Sequence, residues 1–333
     1  MHLIQGHSDP RVFFSPRGEP LMIVGTNGIH NCLGQYLIDL RALVPDLAAK
    51  MHITDIPIRF PNLTELTRPN LQEIEKNWFM MFDSLDSNRE YLHYDFLHRS
   101  LAALKPPADI ATYKSIANPS PELVRGLLQN FKKSDYSAND IHQASNSLLV
   151  TLCDFPCIPT IHNTVLVELM HIKYSDYYRL YYRRFAIIMN ATAPFDVLGR
   201  TENLMYAGTD SDTMIYTVSM AWDKGNFPRH EPWDESRHGG KEIWLELDIQ
   251  QQLERERNKA PTVSPIDDTF DQEEADSMAL HKRATSSSQN PFISDGYHGW
   301  LDDVLMINIG INDNAAGTIH TTAKDLLECI TLA

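Results

Sequence analysis

The sequence predicts an all-β fold, and three observations predict it. Short apolar runs recur along the chain, they are rich in β-branched and aromatic residues, and Gly, Asn, Asp, Ser or Pro bounds each one. A doubly wound α/β fold would need an amphipathic helix between successive strands, and such helices are few. Many strands at short spacing point instead to a sandwich, a barrel or a propeller.

The elements follow in order. Residues 21–24 read as a strand that ends in the turn Gly25-Thr26-Asn27-Gly28. Residues 78–82 form a strand that ends at Asp83-Ser84, with 91–96 as its hairpin partner. Residues 147–153, 165–172, 185–189, 214–222 and 304–311 repeat the pattern. Asp313 to Gly317 reads as a hairpin turn, with 318–321 as the return strand. The clearest helix is 121–131, where Ser120 is the N-cap, Pro121 takes the first helical position and Leu123, Leu127 and Leu128 share a face. It lies within a polar stretch, 106–146, read as a partly helical insertion. Residues 250–290 are charged, polar and weakly apolar, which predicts a disordered insertion inside a single domain spanning 1–333.

Composition narrows the function classes. Twenty-nine Lys+Arg against 44 Asp+Glu give a net charge of −15 over 333 residues, which argues against partners built on phosphate polymers, nucleic acid or an anionic membrane. A neutral substrate is compatible with that charge, whereas an anionic one needs a local Arg or His cluster. No apolar run approaches the roughly 20 residues of a membrane helix, and residues 1–11 carry no signal-peptide pattern. The four cysteines, Cys32, Cys153, Cys157 and Cys329, make no disulfide framework at this length. Cys153 and Cys157 are read as thiols in preference to a local disulfide. No cofactor is expected, and no metal, because a second Cys/His pair at ligand spacing is missing.

Several segments could carry chemistry. Asp9-Pro10-Arg11 sets a carboxylate before a strand, pinned by a proline and beside a cation, which suits a general acid. The same three residues also make a surface turn in which Asp9 caps and Arg11 pairs locally. Strand alternation puts His93 and Asp95 on one face and Tyr94, Phe96 and His98 on the other, as in a cleft-lining or a half-exposed strand. Residues 174–185 hold five tyrosines and three arginines, a platform for sugar faces or anions or else an exposed hairpin. His298, Trp300, Asp302 and Asp303 lead into the last long apolar strand, and Asp313 follows it; carboxylates beside a Trp suit sugar hydroxyls. His162 stands at a strand mouth, either structural or able to bind an anion. Asn27 and Asn77 join Arg11, Asp95, Asp302 and Asp313 as candidate substrate contacts.

These pieces also occur in a familiar order. Asp9-Pro10-Arg11-Val12-Phe13 resembles the Glu-Asp-Pro-Arg segment of the five-bladed β-propeller mannoside phosphorylases and their mannosidase relatives. Lys76-Asn77-Trp78 is similar to that family's next blade, and 94–99 to the strand after it, which ends in Arg. Residues 182–190 with Val197-Leu198-Gly199-Arg200-Thr201-Glu202 resemble a later blade, and 306–316, with Gly310 and Asp313, the last one. Fungal β-1,2-mannosyltransferases are another relative by resemblance. The resemblance implies a five-bladed propeller with a central sugar pocket and Asp9 as proton donor. It implies Asp313 on sugar hydroxyls and Lys76, Arg99, His162 and Arg184 as positional candidates for holding phosphate. Ser8 stands where the family carries Glu, and only eight residues precede Asp9 where a first blade is expected, so the first blade is expected to be missing.

The expected function is therefore action on a mannoside-type glycosidic bond in an oligosaccharide or glycan, with phosphate, water or another sugar as acceptor. Phosphate is favoured only if Arg99, His162 and Arg184 converge. The alternative is a carbohydrate-binding or scaffold propeller without catalysis, and a further one is a β-rich interaction protein. Sequons at Asn62 and Asn190 leave the compartment open.

Overall fold

The computed structural model describes residues 8–68, 71–84, 89–96, 100–105, 110–115, 141–175, 180–206, 214–223, 294, 296–328 and 330–332. Strands dominate, and they run as antiparallel meanders in chain order. The first meander is β1 (Ser8–Phe14), β2 (Pro20–Thr26), β3 (Gly34–Asp39) and β4 (Thr64–Leu66). The second is β5 (Phe79–Phe82), β6 (Glu90–Asp95), β7 (Ser100–Lys105) and β8 (Ile110–Ser115). A short parallel pairing of β4 with β8 joins the two into one eight-stranded sheet.

The third meander follows β9 (Ile141–Gln143) and comprises β10 (Leu148–Thr151), β11 (Thr164–Ser175), β12 (Leu180–Asn190) and β13 (Val197–Thr201). β9 and β10 share the same edge of β11, so they act as one broken strand. The last sheet contains β14 (Ile215–Trp222), β16 (Val304–Ile311) and β17 (Ala315–Thr322). Between them in sequence, β15 (His298–Trp300) runs parallel to β10, and the final strand, β18 (Ile330–Leu332), pairs with β13. Short helices α1 (Leu40–Leu43), α2 (Leu47–Lys50) and α3 (Ala323–Leu327) complete the described elements.

Burial explains why apolar runs became strands. Every residue of β3, β5 and β10 is buried, as expected where a strand is covered on both faces. In β14, buried and half-buried residues alternate through Ser219, and the phase slips at Met220, just past the bulge between Thr217 and Ser219. Packing ties the sheets together. Phe82 meets Tyr297 edge to face at 5.4 Å, and Tyr91 meets Phe195 at 5.0 Å. Polar groups contribute as well. Asp39 caps α1 through the Arg41 amide and pairs with the buried Arg41 guanidinium, which donates to the Ile56 carbonyl at 2.7 Å and so holds the loop after α2. Glu19, before β2, is gripped by Arg17 and Arg59, and both arginines also reach Glu90 of β6.

Several expectations change. The 313–317 turn is tighter than anticipated: Asn312 and Asp313 both take positive φ, and the return strand starts at Ala315. Asn and Asp tolerate that region of backbone space, which permits the short turn. Cys153 and Cys157 form a disulfide rather than standing as thiols, their Cα atoms 6.3 Å apart. Spacing alone left that geometry open; the fold of the 153–157 loop brings the two together. The stretch 106–146 carries β8 and β9 near its ends, while helix 121–131 and the 250–290 segment lie outside the described residues, as do His98 and Arg99. Among the described residues, no helix is long and apolar enough to cross a membrane.

Candidate functional site

One end of the sheets gathers the chemistry. β1 begins there with Asp9, whose φ of 50° turns the chain before Arg11. Arg11 lies over the Phe79 ring at 4.9 Å and donates through Nη2 to Asn77 Oδ1 at 2.6 Å. Asn77 precedes β5 with φ 60°, a conformation Asn accepts more readily than most side chains. Two of the candidates, from different meanders, thus touch directly.

The third meander supplies the wall. On β11, His171 pairs opposite Arg184 of β12 and opposite His142 of β9. Tyr182 stacks near this group, its ring centroid 4.9 Å from His171 and 6.0 Å from His142. His171 Nε2 accepts a hydrogen bond from the Thr217 amide of β14 at 3.0 Å, so that nitrogen carries no proton. Burial holds the His171 pKa well below its ordinary value, and the neighbouring His142, Arg184 and Arg11 push the same way. Arg184 donates to the Ile215 carbonyl at 3.0 Å and lies over the Tyr206 ring at 4.5 Å.

The last sheet brings Tyr216 and Asp313. The Tyr216 phenol lies near enough to the Asp313 carboxylate for the two to interact. Gly310 lies beneath the Tyr216 ring, where a Cβ would overlap the ring atoms and push the ring aside. Burial raises the Tyr216 pKa first, with the charges of Asp313 and Asp9 adding to it. Tyr182 is raised for the same leading reason, then by Asp313, Asp9 and Tyr216, against Arg11. Both phenols therefore stay protonated and can donate. Burial lowers the Arg11 pKa to about 10, and Asp9, Glu168 and Tyr182 oppose that shift.

Asp9, Arg11, Asn77, Arg184 and Asp313 thus fall within one electrostatic neighbourhood. Two more candidates lie on the same end. Asn27 follows β2 beside the start of β1, exposed, its carbonyl accepting from Tyr36. Asp95 ends β6 alongside the start of β5, half-buried and paired with Ser100 across a bulge. That bulge breaks the simple two-face alternation expected for 93–98, and Phe96 is buried.

The remaining candidates do not join them. His162 sits in the exposed turn before β11, while His171 marks the site seven strand residues beyond Thr164; at about 3.3 Å per residue that is roughly 23 Å away. It therefore cannot share an anion with Arg184. Asp302 precedes β16 and Asp313 follows it, so a strand of similar length separates them. Asp302 Oδ1 instead accepts from the Phe155 amide at 2.9 Å and braces the disulfide loop, where Trp300 Nε1 donates to the Cys157 carbonyl. Lys76 is exposed, with no hydrogen bond or ion pair among the described residues. Arg99 lies outside the described residues.

Spacing did not single out Glu168, His142, His171 or Tyr216. Glu168 was detectable in principle: it is the one acidic residue inside the apolar run 165–172, and the structure buries it completely. Its Oε2 lies 3.5 Å from Nδ1 of His93, which is also fully buried. Taken together, the site offers carboxylates, guanidinium groups, an amide and phenols around aromatic rings, a donor and acceptor set suited to a hydroxyl-rich ligand. No protein-family model matches the chain, and no curated protein matches it.

Proposed function

We propose that this protein acts on a mannoside-type glycosidic bond, with Asp9 as general acid, on a propeller-like arrangement of its meanders. The observation that carries this reading is that Asp9, Arg11, Asn77, Arg184 and Asp313, drawn from separate meanders, lie within electrostatic reach of one another and of Tyr182 and Tyr216 at one strand end, with Arg11 bonded to Asn77. Propellers set successive meanders as blades around a central channel, and the resemblance implies a sugar pocket in it. Asp9 would give its proton to the glycosidic oxygen as the bond from the anomeric carbon breaks; the acceptor oxygen would form the new bond to that carbon and release its proton to solvent, which would reprotonate Asp9. Tyr182, Tyr216 and Asp313 would hold hydroxyls of the sugar. The phosphate acceptor loses support because His162 stands far from Arg184. Water or a second sugar is the better acceptor.

The test is turnover of mannobioses and longer mannosides by the wild type and by Asp9→Asn, with water, phosphate or a mannoside as acceptor. Turnover in the wild type that falls by about 100-fold or more in Asp9→Asn supports the reading. Equal turnover in both removes Asp9 as the acid. Sugar binding without turnover in either points to a binding module.

A further inference from the structure

Two charged groups at the floor of this site are buried with polar atoms unpartnered. Arg11 Nη1 is buried and makes no hydrogen bond among the described residues, although Nη2 is held by Asn77. Both carboxylate oxygens of Glu168 are likewise buried without a hydrogen bond among them, with His93 Nδ1 3.5 Å from Oε2. The two groups flank the same pair of residues. Arg11 lies over Phe79, Phe79 stands directly opposite His93 across β5 and β6, and His93 faces Glu168. The Arg11 and Glu168 charges feel each other, yet no direct ion pair joins them among the described residues. A buried charge without hydrogen bonds is costly, and an unmade bond to one is costlier than a neutral one.

We propose that Arg11 Nη1, on the guanidinium held over Phe79, and the Glu168 carboxylate, beside Phe79's cross-strand partner His93, bind one hydroxyl group between them. A hydroxyl accepts from the guanidinium and donates to the carboxylate, so it satisfies both at once. An anion there would meet the carboxylate, and a cation would meet the guanidinium. The position therefore takes a neutral oxygen, belonging to water or to the ligand. That the ligand's hydroxyl replaces the water rests on the mannoside reading above.

Crystal structures of the wild type, as grown and soaked with mannobiose, separate the two sources. The expected result is one oxygen within about 3.2 Å of both Arg11 Nη1 and a Glu168 oxygen, a water in the first and a sugar hydroxyl in the second. A direct Arg11–Glu168 ion pair, or no shared oxygen, overturns the proposal. A shared water that persists while sugar binds elsewhere, or does not bind, removes the ligand's share but keeps the hydroxyl position; turnover then judges the mannoside reading separately. In solution, Glu168→Gln should bind mannobiose about 10-fold or more weakly with its thermal midpoint near the wild type's. Arg11→Lys, which keeps the charge but loses the fork, should weaken it in the same direction. Unchanged affinity in both variants overturns the ligand's share.

Discussion

Single residues set the site's geometry. Asp9, Asn77, Asn312 and Asp313 all hold positive φ, and all four lie at its rim. Strained backbone of this kind is kept where surrounding structure enforces it. Gly310 is closely packed, because the Tyr216 ring occupies the space of its missing side chain. Gly310→Ala should cost about 1–3 kcal/mol in urea unfolding, as overpacking does, and should detach Tyr216 from Asp313. An unaltered unfolding midpoint would mean that the ring has room to move aside. The sequence exposed Asp9, Arg11, Asn77 and Asp313 because a Pro-pinned turn, a Lys-Asn-Trp segment and a hairpin turn mark themselves locally. It hid His171 and Tyr216, whose roles depend on a Thr217 amide and an Asp313 carboxylate from distant or newly paired strands.

At the scale of elements, the loops around β2 and β3 are held by buried ion pairs rather than by apolar contact. Removing one partner of such a pair leaves the other charge buried, so Arg41→Ala should destabilise the protein by about 3–5 kcal/mol. A loss below about 1 kcal/mol in chemical denaturation would show Asp39 finding solvent instead. Glu90, which links β6 to Arg17 and Arg59, has its pKa pushed up to about 7 by burial, against the Arg17 charge. Glu19 is raised in the same direction, again chiefly by burial. A carboxyl whose folded pKa lies above its unfolded value of about 4.3 binds its proton more tightly when folded. Its contribution is then full below about pH 4.3 and is lost as pH rises through about 7. The wild type should therefore lose stability relative to Glu90→Gln across that window, measured as the difference in urea midpoints. A difference that stays flat with pH would contradict this. The strands themselves were legible, since 21–24, 78–82, 91–96, 165–172, 214–222 and 304–311 all fall on observed strands. The disulfide at Cys153–Cys157 was not, because a pair four residues apart bonds or not according to loop geometry.

At the scale of the molecule, successive meanders place their chemistry at one strand end, while Asp302, Trp300 and His162 occupy the other. Periodicity gives the strands but not which ends meet, and that is why both sets read as one site from the sequence alone. The all-β class follows from local pattern; the choice of end follows from pairings such as β9 with β11 and β14 with β16. On the proposed reading, the end carrying Asp9 and Asp313 holds a sugar. Calorimetric titration of mannobiose into Asp9→Asn tests it, since on the proposed mechanism the substitution should stop turnover and keep the hydroxyl contacts. Saturable binding that Asp313→Ala weakens by about 10-fold or more is the predicted result. Absence of binding in the wild type and in Asp9→Asn, at millimolar sugar with both proteins folded, would contradict it.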